Sequence, residues 1–226
     1  MTLAQAITRI SYALRGLDDD APVSGSDEYA YWLDTLNRKK DELYQDVTKR
    51  WSITYEVRSL GTITANAAPS FELDDDFLAA SDSAYIITTD DQRVDVFFSK
   101  PEERDTRIRQ VFIAGGDPEV LYFTSPIVAG DSIIGGTLYL PAYWMPADLA
   151  AAGDTLPFPD PNWGVMATAA EIAFNDIIYE DKASDLNEKA NALMRTMAQK
   201  NRRGTYGNSR ITPTSVKRIR DTRSVG

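Results

Sequence analysis

An α+β fold is predicted for this chain: a four-helix, bundle-like body, a small antiparallel β-sandwich or β-barrel lobe inserted into it, and an extended C-terminal arm. Apolar residues recur three and four positions apart in two N-terminal and two C-terminal segments, which is the helical period. Between these segments, from Ser52 to Leu140, the period changes to two, as in strands. The final 26 residues follow neither pattern and are basic.

These changes of pattern divide the chain into four segments. Residues 1–51 carry the first helix pair, and residues 52–142 carry the β-rich insertion. Residues 143–200 carry a second, proline-led helix pair that completes the bundle, and residues 201–226 form the arm. Because the strands of the insertion are short and polar, we expect it to lack a large core of its own.

The first helix is predicted over residues 2–15. Thr2 and Gln5 match a capping box, in which the side chain of each residue accepts a hydrogen bond from the backbone N–H of the other. Gly16 is the expected C-cap, because glycine readily adopts the left-handed conformation that ends many helices. A second, longer helix is predicted over residues 27–51.

A basic cluster, Arg38, Lys39 and Lys40, lies in the middle of the second predicted helix. One interpretation, which we favour, is a solvated outer face. The other is a contact between subunits, in which the cluster faces an acidic patch on a neighbouring copy. These three residues are therefore the candidate subunit-contact residues.

The insertion is predicted to contain short strands separated by turn signals rich in Gly, Pro and Asp. We expect the lobe to pack against the second helix or to protrude from the body. An aspartate run at residues 74–76 is predicted to be a solvated loop. The predicted strands cover residues 53–57, 84–88, 93–98, 108–114, 120–124 and 132–139.

A proline-rich lead at residues 155–163 precedes the third predicted helix. Each proline disfavours helical backbone at the residue before it, so the lead should be extended. Asn162 is the expected N-cap of the helix. The apolar pattern continues to Ile178, and a polar break at residues 179–182 leads to the fourth helix.

The residue types that most enzymes depend on are missing, because the chain has no cysteine and no histidine. This excludes thiolate nucleophiles, cysteine or histidine metal sites and every histidine-containing triad. The acidic clusters have no spacing that selects a catalytic pair, and no phosphate-binding glycine loop is present. We therefore predict no catalytic residue, no metal site and no cofactor. Neither a membrane span nor a secretory signal is predicted.

Charge divides the chain at residue 200. The whole sequence has a net charge of −10, but residues 201–226 contain seven basic residues and one acidic residue, a net +6. The first 200 residues contain 17 basic and 33 acidic residues, a net −16. An acidic body is therefore followed by a basic arm.

The arm has three interpretations: a solvated tail, a nucleic-acid arm that binds phosphate, or a docking arm that orders on a partner protein. We favour the third. Arginines can pair bidentately with partner carboxylates while apolar anchors fill pockets. The candidate docking residues are Arg202, Arg203, Tyr206, Arg210, Ile211, Val216, Lys217, Arg218, Ile219, Arg220 and Arg223.

Residues 2–200 resemble the head-to-tail connector (adaptor) proteins of tailed bacteriophages. The resemblance is carried by an N-terminal helix pair with Trp32 and Trp51, an aspartate-containing loop before the β-region, a strand ending in a Tyr/Pro segment, a proline lead and two closing helices. The proline usual just before the Asp-Phe pair of that loop is replaced here. The matching segments are residues 71–78, 121–126, 137–146 and 157–163.

The resemblance implies a structural virion protein of the phage neck that is assembled in the host cytoplasm. Such proteins form a ring, usually of twelve copies, between the portal and the tail or its nozzle or stopper protein. Their C-terminal segment docks onto the portal, and DNA passes through the lumen without specific binding. No enzymatic activity and no membrane contact are implied.

Two alternatives remain open. One is a stopper or tail-tube-proximal neck subunit that uses the β-insertion to face the tail. The other is a binding module for carbohydrate or protein, in which aromatic residues of the β-lobe line a groove. The aromatic residues in question are Tyr122, Phe123, Tyr139, Tyr143 and Trp144.

Overall fold

The computed structural model describes residues 1–16, 21–45, 50–64, 69–99, 110–116 and 118–207, with the backbone alone described for residues 202–207. Four α-helices and eight strands run through these residues. Their order is α1 (Leu3–Arg15), α2 (Asp27–Gln45), β1 (Tyr55–Thr62), β2 (Ser70–Glu72), β3 (Phe77–Ala80), β4 (Ser83–Ile87), β5 (Arg93–Phe98), β6 (Gln110–Ala114), β7 (Val120–Phe123), β8 (Thr137–Trp144), α3 (Pro161–Asn175) and α4 (Glu180–Gly207).

The strands form one mixed sheet that is nearly barrel-shaped, in the order β1-β8-β4-β5-β6-β7-β2, with β3 also pairing with β8. The prediction of a four-helix, bundle-like body with a small antiparallel lobe and an extended arm is therefore wrong, because the β-part is a large barrel. The α+β composition is retained. β5 and β6 run parallel, which adjacent hairpins alone cannot produce. The sequence pattern does not predict β2 and β3, which flank the aspartate run.

The two ends of the strand order approach each other where β1 meets β2. Gly61 of β1 has a φ of 136°, and a Cβ added there would lie 3.4 Å from Cε1 of the Phe71 ring. Glycine permits both this backbone conformation and this close approach of the ring. The sheet therefore curls until its end strands are neighbours.

The sheet encloses its own hydrophobic core, which contradicts the expectation that the insertion lacks one. Alternate residues of the central strands point inward, as the two-residue period of a strand requires. Trp144 closes the core at the end of β8, and its Nε1–H donates to the carbonyl oxygen of Glu56 at 3.3 Å. The core side chains include Ile63, Leu73, Ile86, Val96, Val111, Leu121, Phe123, Ile133, Leu138 and Leu140.

The helical body is arranged around α3, which contacts α1, α2 and α4. This helix is apolar on almost every side, so it is stable only when surrounded. Phe158 of the proline-rich lead packs edge-to-face on Trp163, with ring centroids 5.5 Å apart. Tyr44 of α2 donates its hydroxyl hydrogen to the Pro157 carbonyl, and burial raises the pKa of that hydroxyl.

Most helix boundaries follow local capping signals. The capping box of Thr2 and Gln5 is confirmed, and Gly16 is confirmed as the left-handed C-cap of α1. The N-cap of α3 is Asp160, whose side chain accepts from the backbone N–H of Asn162 at 3.0 Å. The prediction of Asn162 as the cap is wrong, because Pro161 occupies the first helical position, where its fixed φ is suitable.

Two predicted helix ends need correction. α2 ends at Gln45 within the described residues, and Trp51 lies outside any helix although it is buried. α4 continues to Gly207, so the first seven residues of the predicted extended arm are helical. Most residues just before Gly204 are strong helix formers such as Lys, Arg and Gln. The helix therefore continues past Gly204 and ends at Gly207.

Gly164 of α3 is required by the tight packing of the proline-rich lead. A Cβ at this position would overlap the buried ring of Phe158. We expect Gly164→Ala to lower the free energy of unfolding by about 1–2 kcal/mol, because overpacking outweighs the gain in helix propensity. Denaturant unfolding followed by circular dichroism measures this change in the free energy of unfolding.

The matched control is Gly153→Ala, since a Cβ at Gly153 meets no atom within 4 Å. This variant should stay within about 0.5 kcal/mol of the wild type. A Gly164→Ala protein as stable as the control would contradict the tight contact.

Candidate protein-interaction site

The described residues contain no group of three or more carboxylates arranged to hold a metal ion. No helix within them is both long and apolar enough to cross a bilayer.

The aspartate run after β2 is held by Arg58 of β1. The guanidinium binds Asp76 bidentately, with Nη1–Oδ1 at 2.9 Å and Nη2–Oδ2 at 2.8 Å, and reaches Asp74 at 3.2 Å. It also lies 4.0 Å from the centroid of the Trp144 ring. The prediction of a solvated loop is wrong for Asp76, which is half-buried and ties the turn before β3 to β1, whereas the Asp74 side chain is 72 % exposed, as that prediction expects.

Hydrogen bonding to Asp76 raises the pKa of Arg58, with a smaller contribution from Glu56. The cation is therefore held in its charged form, and it neutralises carboxylates that would otherwise repel one another. Such a bidentate, ring-stacked arrangement uses the planar geometry that distinguishes arginine from lysine. It is a structural site rather than a pair of free carboxylates suited to acid–base chemistry.

The basic cluster of α2 forms ion pairs within the chain. Arg38 and Lys39 both pair with Glu171 of α3, and hydrogen bonds to Glu171 and Glu42 raise the pKa of Lys39 against the opposing effect of burial. Lys40 is only 1 % exposed and binds Asp148 and the Pro146 carbonyl. The outer-face interpretation is therefore wrong for Lys40, and a role of the cluster in subunit contact stays a prediction.

The end of α3 and the turn that follows it expose three large apolar side chains, which we call the apolar tip: Phe174, Ile177 and Ile178. They are 79 %, 85 % and 73 % exposed. The sequence pattern assigned the two isoleucines to the buried stripe of the third helix. The signal that could have corrected this is Asn175-Asp176, a polar pair that ends α3 one turn early.

Hydrogen bonds fix the backbone around the apolar tip, although its side chains are exposed. The Asp176 backbone N–H donates to the Ile172 carbonyl, and its carboxylate accepts from the backbone N–H of Ile178 at 3.0 Å. Arg15 of α1 donates to the Tyr179 hydroxyl at 2.9 Å, and Lys182 donates to the Leu14 carbonyl at 2.6 Å. An exposed apolar cluster on a hydrogen-bonded turn is typical of a protein-binding surface.

Two grooves flank the α3–α4 hairpin. The first, about 660 Å³, lies against α1, and we call it the basic-rimmed groove. The second, about 670 Å³, lies against α2, and we call it the acidic-rimmed groove. The first groove is lined by apolar residues Tyr12, Val165, Met166 and Leu186 and bordered by Arg9, Lys182, Lys189 and Asp185. The second is lined by apolar residues Trp163, Ala170, Phe174, Ala183 and Met194 and bordered by Glu42, Glu171, Glu180 and Lys39.

The far end of α4 lies beside the start of the sheet. The Asn201 side chain accepts from the Ser52 backbone N–H and donates to the Arg50 carbonyl, each at 3.3 Å. At 1.5 Å per residue, the 21 steps from Glu180 to Asn201 span roughly 30 Å. The arm therefore begins at the opposite end of α4 from the apolar tip.

The predicted docking residues of the arm lie largely beyond this point. Arg202, Arg203 and Tyr206 are in the last turns of α4, where the backbone alone is described. The others lie outside the described residues: Arg210, Ile211, Val216, Lys217, Arg218, Ile219, Arg220 and Arg223.

The aromatic residues proposed for a β-lobe groove separate onto two faces of the sheet. Phe123 and Trp144 are buried in the core. Tyr139 stacks on Tyr85 with centroids 5.3 Å apart, and Tyr143 packs edge-to-face on Tyr55 at 5.5 Å. Tyr122 stacks on Phe112. Packing accounts for these contacts, and alternation along the strands prevents all five rings from facing the same groove.

No protein-family model and no curated protein matches this chain, so its resemblance to phage connectors stays a prediction.

Arg58 offers a test of the bidentate site. We expect Arg58→Lys to lower the free energy of unfolding by about 1–2 kcal/mol, because lysine cannot bind Asp76 bidentately or stack its planar group on Trp144. Arg93 is the matched control: it pairs with Asp95 and lies 4.1 Å over Tyr85, but its side chain is 58 % exposed against 28 % for Arg58.

Arg93→Lys should change the stability by less than about 0.5 kcal/mol. Denaturant unfolding measures both free energies. An equal loss in Arg58→Lys and Arg93→Lys would show that the bidentate, ring-stacked arrangement of Arg58 is no more stabilising than an exposed surface ion pair.

The apolar tip should be dispensable for folding. We expect Ile177→Asp to leave the free energy of unfolding within about 0.5 kcal/mol of the wild type, because the side chain is exposed in the monomer. Ile172→Asp, one turn earlier and buried, should lower it by about 3 kcal/mol or more. A large loss in Ile177→Asp would mean that the tip packs within its own chain.

Proposed function

We propose that this protein is a structural subunit of a phage neck: an adaptor that forms a homo-oligomeric ring joining the portal to the tail. The observation that carries the proposal is the apolar tip. Three large apolar side chains on a hydrogen-bonded turn are 73–85 % exposed in the described monomer, and a second protein surface would cover them. The resemblance of residues 2–200 to phage connectors names the kind of assembly that would cover them.

The positions of the candidate contact regions support the proposal of a subunit that contacts two neighbouring proteins at once. The apolar tip is at one end of α4, and the basic arm begins past the other end, roughly 30 Å away. Lateral contacts between copies can therefore use the tip without obstructing the arm. In this proposal the arm contacts the portal, and the sheet contacts the tail or its nozzle or stopper protein.

Charge supports an ordered assembly. A body with a net charge of −16 disfavours association between free copies, whereas an arm of +6 is attracted to an acidic portal surface. Docking of the arm raises the local concentration of bodies, so that weak lateral contacts close the ring, usually of twelve copies in the connectors that this chain resembles. A ring of acidic bodies repels the phosphate backbone, so DNA passes through the lumen without specific binding.

The arm can be tested with a variant that ends at Gly207. The cut leaves α4 intact and removes five basic residues and one acidic residue. We expect this variant to fold normally but to bind an isolated portal ring at least about tenfold more weakly than the full chain, because the arm supplies the charge-assisted contacts. Sedimentation of the mixture and circular dichroism of the free variant measure the two properties.

A second variant, Arg218→Glu with Arg220→Glu, keeps the arm's length and should weaken portal binding in the same direction. Unchanged occupancy of the portal by both variants would contradict the docking arm. Binding of the full chain to assembled tails but not to portal rings would favour the alternative of a stopper or tail-tube-proximal subunit.

A further inference from the structure

We propose that the apolar tip of one copy binds in the basic-rimmed groove of a second copy of this chain. The inference rests on the proposed function, because it names the lateral contact between copies of the ring. It also concerns a contact that can be detected without a portal.

The tip has acidic surroundings. Asp176 lies in the turn with Ile177 and Ile178, and Glu180 and Asp181 begin α4 directly after it. None of these three carboxylates forms an ion pair with the described part of the chain. Glu180 and Asp181 complement the dipole at the start of α4, which explains their place in a monomer. The dipole does not explain the three exposed apolar side chains beside them.

The border of the basic-rimmed groove is positively charged, in contrast to the acidic surroundings of the tip. Arg9 donates to Asn162 at 2.8 Å and Lys182 donates to the Leu14 carbonyl, yet neither pairs with a carboxylate among the residues that the structure describes. Lys189 pairs with Asp185. The apolar surface between them is formed by Tyr12 and Met166. Two cations without carboxylate partners therefore border an apolar groove, and the tip presents carboxylates around apolar side chains.

The volume of the groove is sufficient for the tip. A cavity of about 150 Å³ holds a benzene ring, whereas this groove has about 660 Å³. The groove therefore has room for apolar side chains of the size that the tip presents. The acidic-rimmed groove has a similar volume, but Phe174 of the tip itself and the nearby Glu180 line it, and Lys39, the one cation among its described lining residues, is already paired with Glu42 and Glu171. It therefore offers the carboxylates of a second tip no unpaired cation.

The tip and the groove of one copy cannot bind each other. Lys182 is part of the groove and is fixed to the Leu14 carbonyl, and Arg15 holds Tyr179, so the turn cannot fold back over its own hairpin. The contact must join different surfaces of two copies. Such a head-to-tail contact leaves one tip free at one end of a row of copies and one groove free at the other, and it produces a ring when the rotation closes.

The absence of cysteine from the sequence makes the contact directly testable in full-length chains. One chain carries Ile177→Cys and a second, isotope-labelled chain carries Tyr12→Cys. A short bis-maleimide cross-linker should join the two at least about tenfold faster than it joins Ile177→Cys to Val128→Cys, because Val128 is an exposed residue of the β-region. Mass spectrometry counts the mixed dimers.

Charge reversal separates this contact from chance collision. Arg9→Glu in the Tyr12→Cys chain should lower the cross-linking rate several-fold, and Glu180→Lys with Asp181→Lys in the Ile177→Cys chain should restore part of it. Equal rates for the Tyr12 and Val128 pairs, or a rate unaffected by the reversals, would overturn the proposal.

The result is independent of portal binding. Cross-linking as expected in a chain that does not bind portal rings would overturn the proposed function and keep this contact. Portal binding by the full chain, without cross-linking of Ile177→Cys to Tyr12→Cys, would overturn this contact and keep the proposed function.

Discussion

The structure depends on covering α3. This helix is apolar on almost every side, so its burial requires three other helices, and each covers a different face. Gly164 allows the Phe158 ring to close the remaining gap at its start. Because α4 covers one face of α3 by lying along it, the turn that joins the two helices is at the surface. Ile177 and Ile178 in this turn are therefore left exposed by their own chain.

Some clusters of carboxylates are paired with cations within the chain, and others are not. Arg58 satisfies Asp74 and Asp76 and ties the two ends of the sheet together. Lys39 and Arg38 do the same for Glu171 between α2 and α3. The α3–α4 turn has no such arrangement among the described residues: its carboxylates are without cations, its apolar side chains face solvent, and complementary groups lie on another surface of the same chain.

Prediction from sequence succeeded where the signal was local. The capping box of Thr2 and Gln5 and the left-handed cap at Gly16 involve residues within four positions of each other. The sheet was predicted poorly because its pairing is not local. β8 pairs with β1, β3 and β4, and no alternation along one strand reveals which partners it will have. The apolar tip was assigned to a buried stripe, since periodicity reports the apolar face of a helix but not whether another element covers it.

The sequence by itself determined that the chain has no cysteine or histidine chemistry, that four helices flank a region of strands, and that an acidic body precedes a basic arm. These are properties of composition and of short-range period, which do not depend on distant contacts. Only the tertiary structure decided that the strands curl into a large barrel with its own core, that Lys40 is buried, and that the isoleucines of the turn are exposed. Burial is a property of what lies next to a residue in space, and that depends on pairings between segments far apart in the chain.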